Sequence, residues 1–370
     1  MQTAVAALAA ILIAGCSSNK VEIPANPSVS APTRVMLKEK VNVYLKGVGS
    51  GTTFTVDFGD GTTVEAVTPS AAVHAYSESA DWKISVSSDA LDEDFTKTIR
   101  CYQLEALSSA QRNFKDPSYK KIWVMTHRAH TTDKSVPENS ISAVKAAIAS
   151  GADALECDTH RTKDGQIVIC HDLSINRTTT GTGDIPSLTL EQIKSYKLLD
   201  RNGNPTNETM PTLEEFLKAC RGKIYVDLDY SPRTASTAEV MTVVEKLGMM
   251  EQVWFYCNSV EKCREVLAIS PRAHAYTWAT AYEPLKGLEG PYFVQYSYSP
   301  TSGSTSIGTA VRDGMLCSVC MLSVLNGQIP EYDVDGAQLD ELITSFPDVK
   351  MIMTDAPEKL IRALSERGRR

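Results

Sequence analysis

From Lys121 onward the sequence alternates between continuous apolar runs of strand length and longer stretches with helical character, and this alternation limits the architectures open to it. The apolar runs are KIWVM, DALEC, QIVIC, KIYVDL, QVWFYC, AHAYTW, YFVQY, MLCSVCML and KMIMT. Helical character lies at 140–149, 190–196, 212–220, 238–247 and 259–268. Strands that are apolar along their whole length are buried on both faces, as in a parallel sheet covered by helices. About eight such units over roughly 250 residues predict a (β/α)8 TIM barrel.

One connection breaks the alternation. Only 159–165 separates DALECD from QIVICHD, too short for a crossover helix. Lys163-Asp164-Gly165-Gln166 instead reads as a hairpin, with Asp-Gly at its centre. A two-residue turn sets Lys163 opposite Gln166, Thr159 opposite Cys170 and Asp158 opposite His171. The hairpin also explains nine strands for an eight-stranded barrel.

The residues at the strand ends carry the chemistry. Glu156 and Asp158 are two apart and project from one face, while Cys157 points away. Two carboxylates side by side repel unless something positive lies between them. A hard divalent cation, Ca²⁺ or Mg²⁺, suits such oxygen ligands. Barrel active sites lie at the C-terminal strand ends, where these acids stand. His127-Arg128 ends IWVMT in the same way, and Arg128 can grip a phosphate with two bonds. Asp227 ends KIYVD as a third carboxylate, with Asp229 on the same face. Two histidines beside such a cluster suit phosphodiester cleavage. One accepts the nucleophile's proton, the other protonates the leaving oxygen, and a metal offsets the developing charge. His160 shares the face of Asp158 and is a candidate site-lining residue. Trp278, Tyr296 and Tyr298 end later strands as candidates for one wall of the substrate pocket, or as packing.

His127-Arg128, Pro137-Glu138-Asn139, Glu156-Cys157-Asp158, Thr162-Lys163-Asp164-Gly165, His171-Asp172, Arg177-Thr178-Thr179, Gly181-Thr182-Gly183, Pro211 to Glu215 and Thr354-Asp355 together resemble the glycerophosphodiester phosphodiesterase family. The resemblance runs from about Lys121 to the end of the chain and is most specific up to Glu215. It implies a distorted barrel of the phosphatidylinositol-phospholipase-C-like class. It implies His127 and His171 as the acid/base pair, and Glu156 and Asp158 as metal ligands with a third acid from the fourth strand, here Asp227. Arg128, His160 and Trp278 are then the expected substrate contacts. Asn139-Ser140 is read as the cap of the first barrel helix, Asp172 as tuning His171, and Arg177 as ordering the following loop. Three departures stand out. Ala129 replaces the family's Gly after His-Arg. The fourth strand reads Asp227-Leu228-Asp229 where the family has Glu-x-Lys, so a phosphate-neutralising cation is lost. The usual Trp-Thr-x-Asn strand is absent, with LCSVCML in its place. Tighter metal binding, a second cation or a different substrate would each answer the lost Lys.

The preceding sequence has another character. Residues 1–15, MQTAVAALAAILIAG, are apolar and uncharged, too short for a comfortable membrane span and similar to a secretory h-region. Ile13-Ala14-Gly15-Cys16 resembles a bacterial lipobox, so residues 1–16 are expected to be a lipoprotein signal with Cys16 lipidated. Residues 17–34, rich in Ser, Pro and Asn, read as a tether. Residues 35–101 show short alternating runs with Gly-Asp-Gly turns, as in a β-sandwich. Phe54 to Gly61, His74-Ala75-Tyr76 and Trp82 to Val86 resemble the polycystic-kidney-disease (PKD) domain, of immunoglobulin-like fold. That resemblance implies a spacer, or a weak carbohydrate or protein contact; His74 is read as packed core. Residues 102–120 are a polar connector, and 121–370 the barrel.

Composition narrows the function further. A net charge of −8 argues against nucleic acid as partner. Cys317-x-x-Cys320 has zinc-like spacing without a second pair, so its thiols, like the other cysteines in apolar runs, are read as buried and free. The expectation is an exported, lipid-anchored enzyme that hydrolyses glycerophosphodiesters to an alcohol and glycerol 3-phosphate. The rival readings are a phosphodiesterase for another head group and a weakened barrel that only binds metal or ligand.

Overall fold

A computed structural model describes residues 27–32, 34–37, 40–78, 80–102, 104–230, 234–278, 293–297, 316–321, 336–347 and 349–370. The chain divides into two compact units, Met1–Gln103 and Leu104–Arg370.

In the first unit, strands β1 (Ser28–Ser30), β3 (Val41–Lys46) and β6 (Ala72–His74) form one sheet. Strands β2 (Arg34–Met36), β4 (Thr53–Asp57), β5 (Thr63–Val67), β7 (Ala80–Ser87) and β8 (Phe95–Tyr102) form a second, in the order β2-β8-β7-β4-β5. Residues of β3 alternate strictly between buried and exposed, as a strand with one face on a core must. Its buried half joins Phe54, Val56, Phe58, Ile84, Val86 and Ile99 in one apolar cluster. The turn after β4 is held by side chains: Gly59 N donates to Asp57 Oδ1 at 2.8 Å and Thr62 N to Asp60 Oδ1 at 3.0 Å. Gly59 is at φ +79, and a Cβ there would stand 2.6 Å from the Lys83 carbonyl, so this turn admits only glycine. His74 packs on Phe58, with ring centroids 4.7 Å apart, and bonds Asp60.

The second unit contains β9 (Trp123–Thr126), β10 (Ala154–Arg161), β11 (Ile167–Ile169), β12 (Tyr225–Asp229), β13 (Val253–Tyr256), β14 (His274–Trp278), β15 (Phe293–Ser297), β16 (Leu316–Met321) and β17 (Val349–Thr354). Among the described residues β9, β10 and β12–β17 are parallel neighbours, and β9 pairs with both β17 and β10, so the ring closes. Helices at Ile141–Ser150, Leu213–Cys220, Thr237–Lys246, Val260–Ile269, Ala337–Ser345 and Pro357–Glu366 follow individual strands. Their starts are written in the sequence: Thr212 and Ser236 each make a capping box with a Glu three residues on. Strand side chains alternate between two clusters. Leu155, Cys157, Val226, Leu228, Val253 and Phe255 face the helices. Trp123, Met125, Ala154, Tyr225, Trp254, Tyr276 and Met353 fill the barrel.

Two expectations change here. Within 102–120, read as a polar connector, Leu107–Phe114 is helical. Its Leu107, Ala110 and Phe114 join Trp123, Tyr225 and Trp254, residues at or near strand starts, and so close the N-terminal end of the barrel. The hairpin register is also shifted by one. Thr159 faces Ile169, not Cys170, and Cys170 N donates to Asp158 O at 2.9 Å. The loop has three residues. Gly165 N donates to Thr162 O at 3.0 Å, Thr162 N to Gln166 O at 2.8 Å, and Gly165 sits at φ +82. A turn closed by a left-handed residue replaces the expected two-residue turn. Asp158 and His171 are therefore not directly opposed.

Residues 1–26, which hold the lipobox and most of the tether, lie outside the described residues, as do Tyr298 and the side chains of Trp278, Tyr296 and Cys317. The thiols of Cys101, Cys157, Cys170, Cys220, Cys257, Cys263 and Cys320 are buried and free. Among the described residues no helix is long and apolar enough to cross a membrane.

Candidate active site

Alternation along β10 and β12 builds the centre of the site. Ala154 and Tyr225 point into the barrel, so Glu156, Asp158, Asp227 and Asp229 continue the same inward rows. Register places Glu156 beside Asp227 and Asp158 beside Asp229. Carboxylate oxygens of Glu156, Asp158 and Asp229 lie within 4.8 Å of one another. Asp227, the expected third ligand, is not in that group. It is buried one pleat deeper, where the Tyr276 hydroxyl donates to its Oδ2. The structure thus moves the third carboxylate two residues along the strand, to the position where the family's Lys was expected.

Burial pushes the Glu156 carboxyl well above its ordinary value, and the charges of Asp158 and Asp229 push it further. Burial likewise raises Asp227, against the hydrogen bond from Tyr276. Two bonds hold the first layer: Arg128 N donates to Glu156 Oε2 at 2.7 Å and Asn139 Nδ2 to Asp158 Oδ2 at 3.0 Å. Asn139 Oδ1 and Asp227 Oδ1 are buried oxygens with no hydrogen-bond partner. The donor set is all oxygen and close enough to share one ion. Its charges would be costly to bury uncompensated, so these residues fit a hard divalent cation.

After β9 the chain makes a tight turn, with Arg128 at φ 50 and Ala129 at φ 54. Left-handed backbone is uncommon outside glycine and marks constrained local geometry. This turn aims Arg128 N at Glu156 and leaves His127 beside the end of β17. There Asp355 Oδ1 bonds both His127 Nδ1 at 2.9 Å and His130 Nδ1 at 2.7 Å. With Nδ1 engaged, Nε2 of His127 is the nitrogen left for chemistry. Burial pulls the His127 ring below the usual histidine value, against Asp355. For His130 burial is outweighed by the bonds to Asp355 and Glu138, and its pKa is raised. Asp355 itself is held well below the carboxylate range: burial would raise it, but the two rings prevail.

His171 ends the hairpin, one-third exposed, with its Nδ1 2.7 Å from Asp172 Oδ1. Arg177 Nε donates to Asp172 Oδ2 at 2.7 Å, and its two terminal nitrogens grip Glu138 at 2.7 and 2.8 Å. Glu138 is buried and also faces Arg128 at 3.6 Å and His130 at 3.7 Å. His127 and His171 therefore share one arrangement, a carboxylate oxygen within hydrogen-bond distance of Nδ1. The Arg128 Nε is buried and lacks a hydrogen-bond partner.

His127 and Arg128 directly follow β9 and His171 lies just past β11, as read from the sequence, whereas Glu156 and Asp158 lie within β10 and not at its end. His160 is different: it is buried, its Nε2 3.3 Å from the His171 carbonyl oxygen and its Nδ1 3.4 Å from Thr234. The first of these bonds supports the His171 backbone. Ser140 caps the first barrel helix as read, accepting from Ala143 N, but Asn139 instead holds Asp158. Arg177, read as ordering the following loop, reaches back to Asp172 and Glu138. Glu138, His130 and Asp355 carried no site role in the sequence reading. Their signal was motif membership for Glu138 and Asp355, and for His130 only its nearness to His127.

Comparison with known proteins agrees with this geometry. Residues 127–298 match the glycerophosphoryl diester phosphodiesterase family. A glycerophosphodiester phosphodiesterase of Caldanaerobacter subterraneus is 39% identical over 107 residues, which span 29% of this chain and 43% of that protein. A Mycobacterium tuberculosis protein named probable glycerophosphodiester phosphodiesterase 1 is 38% identical over 205 residues, 51% of this chain and 72% of its own length. Among solved structures, a glycerophosphoryl diester phosphodiesterase from Parabacteroides distasonis superposes with a TM-score of 0.61 at 20% identity, covering 72% of this chain and 93% of that one. An Oleispira antarctica phosphodiesterase, solved with its product sn-glycerol-3-phosphate, gives 0.52 at 17% identity, covering 66% and 96%. At such identities these structures speak to the barrel fold.

Proposed function

Because the chain belongs to the glycerophosphodiester phosphodiesterase family, we propose that its barrel hydrolyses glycerophosphodiesters to an alcohol and glycerol 3-phosphate. The observation that carries this reading is the pair of Nδ1-anchored histidines beside one carboxylate cluster. Glu156, Asp158 and Asp229 are the residues that would hold a divalent cation, Ca²⁺ or Mg²⁺, and Asp227 supports them from below. When bound, such an ion stabilises the charge that develops on the phosphoryl oxygens. The buried Arg128 Nε without a hydrogen-bond partner supports Arg128 as a phosphate contact.

Burial lowers the His127 pKa, which supports His127 as the base. Its Nε2 takes the proton of the attacking hydroxyl as that oxygen bonds to phosphorus. The bond from phosphorus to the alcohol oxygen breaks, and His171 Nε2 gives that oxygen a proton. Attack by the neighbouring glycerol hydroxyl gives a cyclic phosphate that water then opens, with the histidines exchanging roles. Attack by water itself uses the same groups.

The lipobox sequence at 13–16 supports export and anchoring through a lipidated Cys16. The two sheets of the first unit and its Asp57–Gly61 turn support the PKD-like reading, as a spacer between anchor and barrel.

The test is direct. Purified full-length chain with Ca²⁺ or Mg²⁺ is offered glycerophosphocholine, glycerophosphoethanolamine, glycerophosphoglycerol and glycerophosphoinositol, and glycerol 3-phosphate is measured. EDTA should abolish release, and His127→Ala and His171→Ala should each cost about 10²–10⁴-fold. If no diester is cleaved with either metal, the substrate class falls.

A further inference from the structure

Between the two histidines runs an unbroken series of charged groups: His171, Asp172, Arg177, Glu138, His130, Asp355 and His127. Formal sign alternates along it when the rings are protonated. His171 leaves the hairpin at its end, where strand pairing no longer fixes a side chain. Its ring Nδ1 lies 2.7 Å from Asp172 Oδ1, a contact that helps to set its orientation. Asp172 is itself a short side chain on a loop, 31% exposed. What fixes it is Arg177, whose guanidinium spans Asp172 on one edge and the buried Glu138 on the other. Glu138 lies in the segment before the first barrel helix, anchored by the Ser140 cap, so it ties the loop to the barrel frame.

From this geometry we infer that Arg177 and Glu138 are positioning residues. Together they hold Asp172 so that His171 Nε2 faces the scissile phosphate. The inference rests on His171 being an acid/base residue. The hydrogen bonds of Arg177 go to Asp172 and Glu138, not to the residues proposed to meet the phosphate. Glu138 also faces Arg128, so its loss should act on binding as well as on turnover. A bidentate Arg–carboxylate pair fixes angle as well as distance, and lysine at 177 would not replace it.

The experiment is a double-mutant cycle on the full-length protein with saturating Ca²⁺ or Mg²⁺, glycerophosphocholine as substrate, and enzyme in excess so that slow variants are read. Arg177→Gln should lower kcat by about 10- to 100-fold, the scale of a roughly 1 Å displacement of a catalytic group, with KM unchanged. Glu138→Gln should lower kcat similarly and raise KM. In a His171→Ala background Arg177→Gln should change the rate by less than about twofold, because groups that act through one another are not additive. If Arg177→Gln costs the same factor with and without His171, it acts elsewhere and the inference is overturned. If His171→Ala alone keeps the wild-type rate, the acid/base reading of His171 falls, and this inference with it. Thermal melting checks folding. Arg177 is 47% exposed, so its variant can carry the cycle should Glu138→Gln not fold.

Discussion

Replacing Asp355 by Asn tests the other end of the site. One oxygen, Asp355 Oδ1, bonds His127 at 2.9 Å and His130 at 2.7 Å, and the substitution keeps the shape while removing the charge. A hydrogen bond to a charged group contributes about 1.5–3 kcal/mol and a neutral one about 0.5–1.5. The loss per ring is then roughly 1–1.5 kcal/mol, and with two rings on one atom roughly 2–3 kcal/mol. On the proposed mechanism the His127 ring becomes charged in the transition state, so the loss at that ring is about a tenfold fall in kcat. The pH profile adds a sign. Burial already depresses the His127 pKa, and Asp355 opposes that. Without the carboxylate the pKa drops further. A base must be deprotonated, so the acid limb of kcat/KM should move to lower pH while the plateau falls. The assay is release of glycerol 3-phosphate against pH at saturating metal, with metal affinity measured by calorimetry as a control. A variant within twofold of wild type and with an unmoved acid limb would refute the claim that Asp355 holds and charges His127.

The metal site separates its two candidate acids: Asp229→Asn should weaken Ca²⁺ or Mg²⁺ binding by at least the roughly 10- to 100-fold that losing a supporting group costs. Asp227→Asn, which keeps a partner for Tyr276, should change it less than about threefold in calorimetry; equal losses would restore Asp227 as a ligand. Ala129→Gly relieves a left-handed alanine, about 1–2 kcal/mol, but gives up a buried methyl worth about 0.8 and adds unfolded-chain entropy of about 0.4–1. Its melting temperature should stay within a few degrees of wild type, and a loss above about 2 kcal/mol would show the methyl to be tightly packed core.

The strands of the barrel were legible because each is apolar along its length, and the helices because caps such as Thr212 and Ser236 mark their starts. The helix Leu107–Phe114 was not, since LSSAQRNF offers few apolar residues and partners such as Tyr225 and Trp254 lie a hundred or more residues away. The hairpin was recognised but its register was not. Asp-Gly suits both a two-residue turn and the turn observed, and one residue of difference changes which side chains meet. The same parity left the third acid of the cluster open: Asp227 and Asp229 share a face, and the Tyr276 hydroxyl, from two strands away, donates to Asp227 while Asp229 lies with Glu156 and Asp158. Glu138 and Asp355 stood in recognisable motifs, yet their roles depend on Arg177 and on two rings distant in sequence.

The helix that closes the N-terminal end of the barrel has a consequence for traffic. Among the described residues, Leu107, Phe114, Trp123, Tyr225 and Trp254 fill the floor at the end of the barrel away from the carboxylates. In the proposed reaction, the diester would enter and both products would leave by the C-terminal rim, where barrel active sites lie. A product carrying the phosphate must vacate the same contacts that the next diester needs. Arrival and departure therefore compete for that rim, and glycerol 3-phosphate should inhibit competitively.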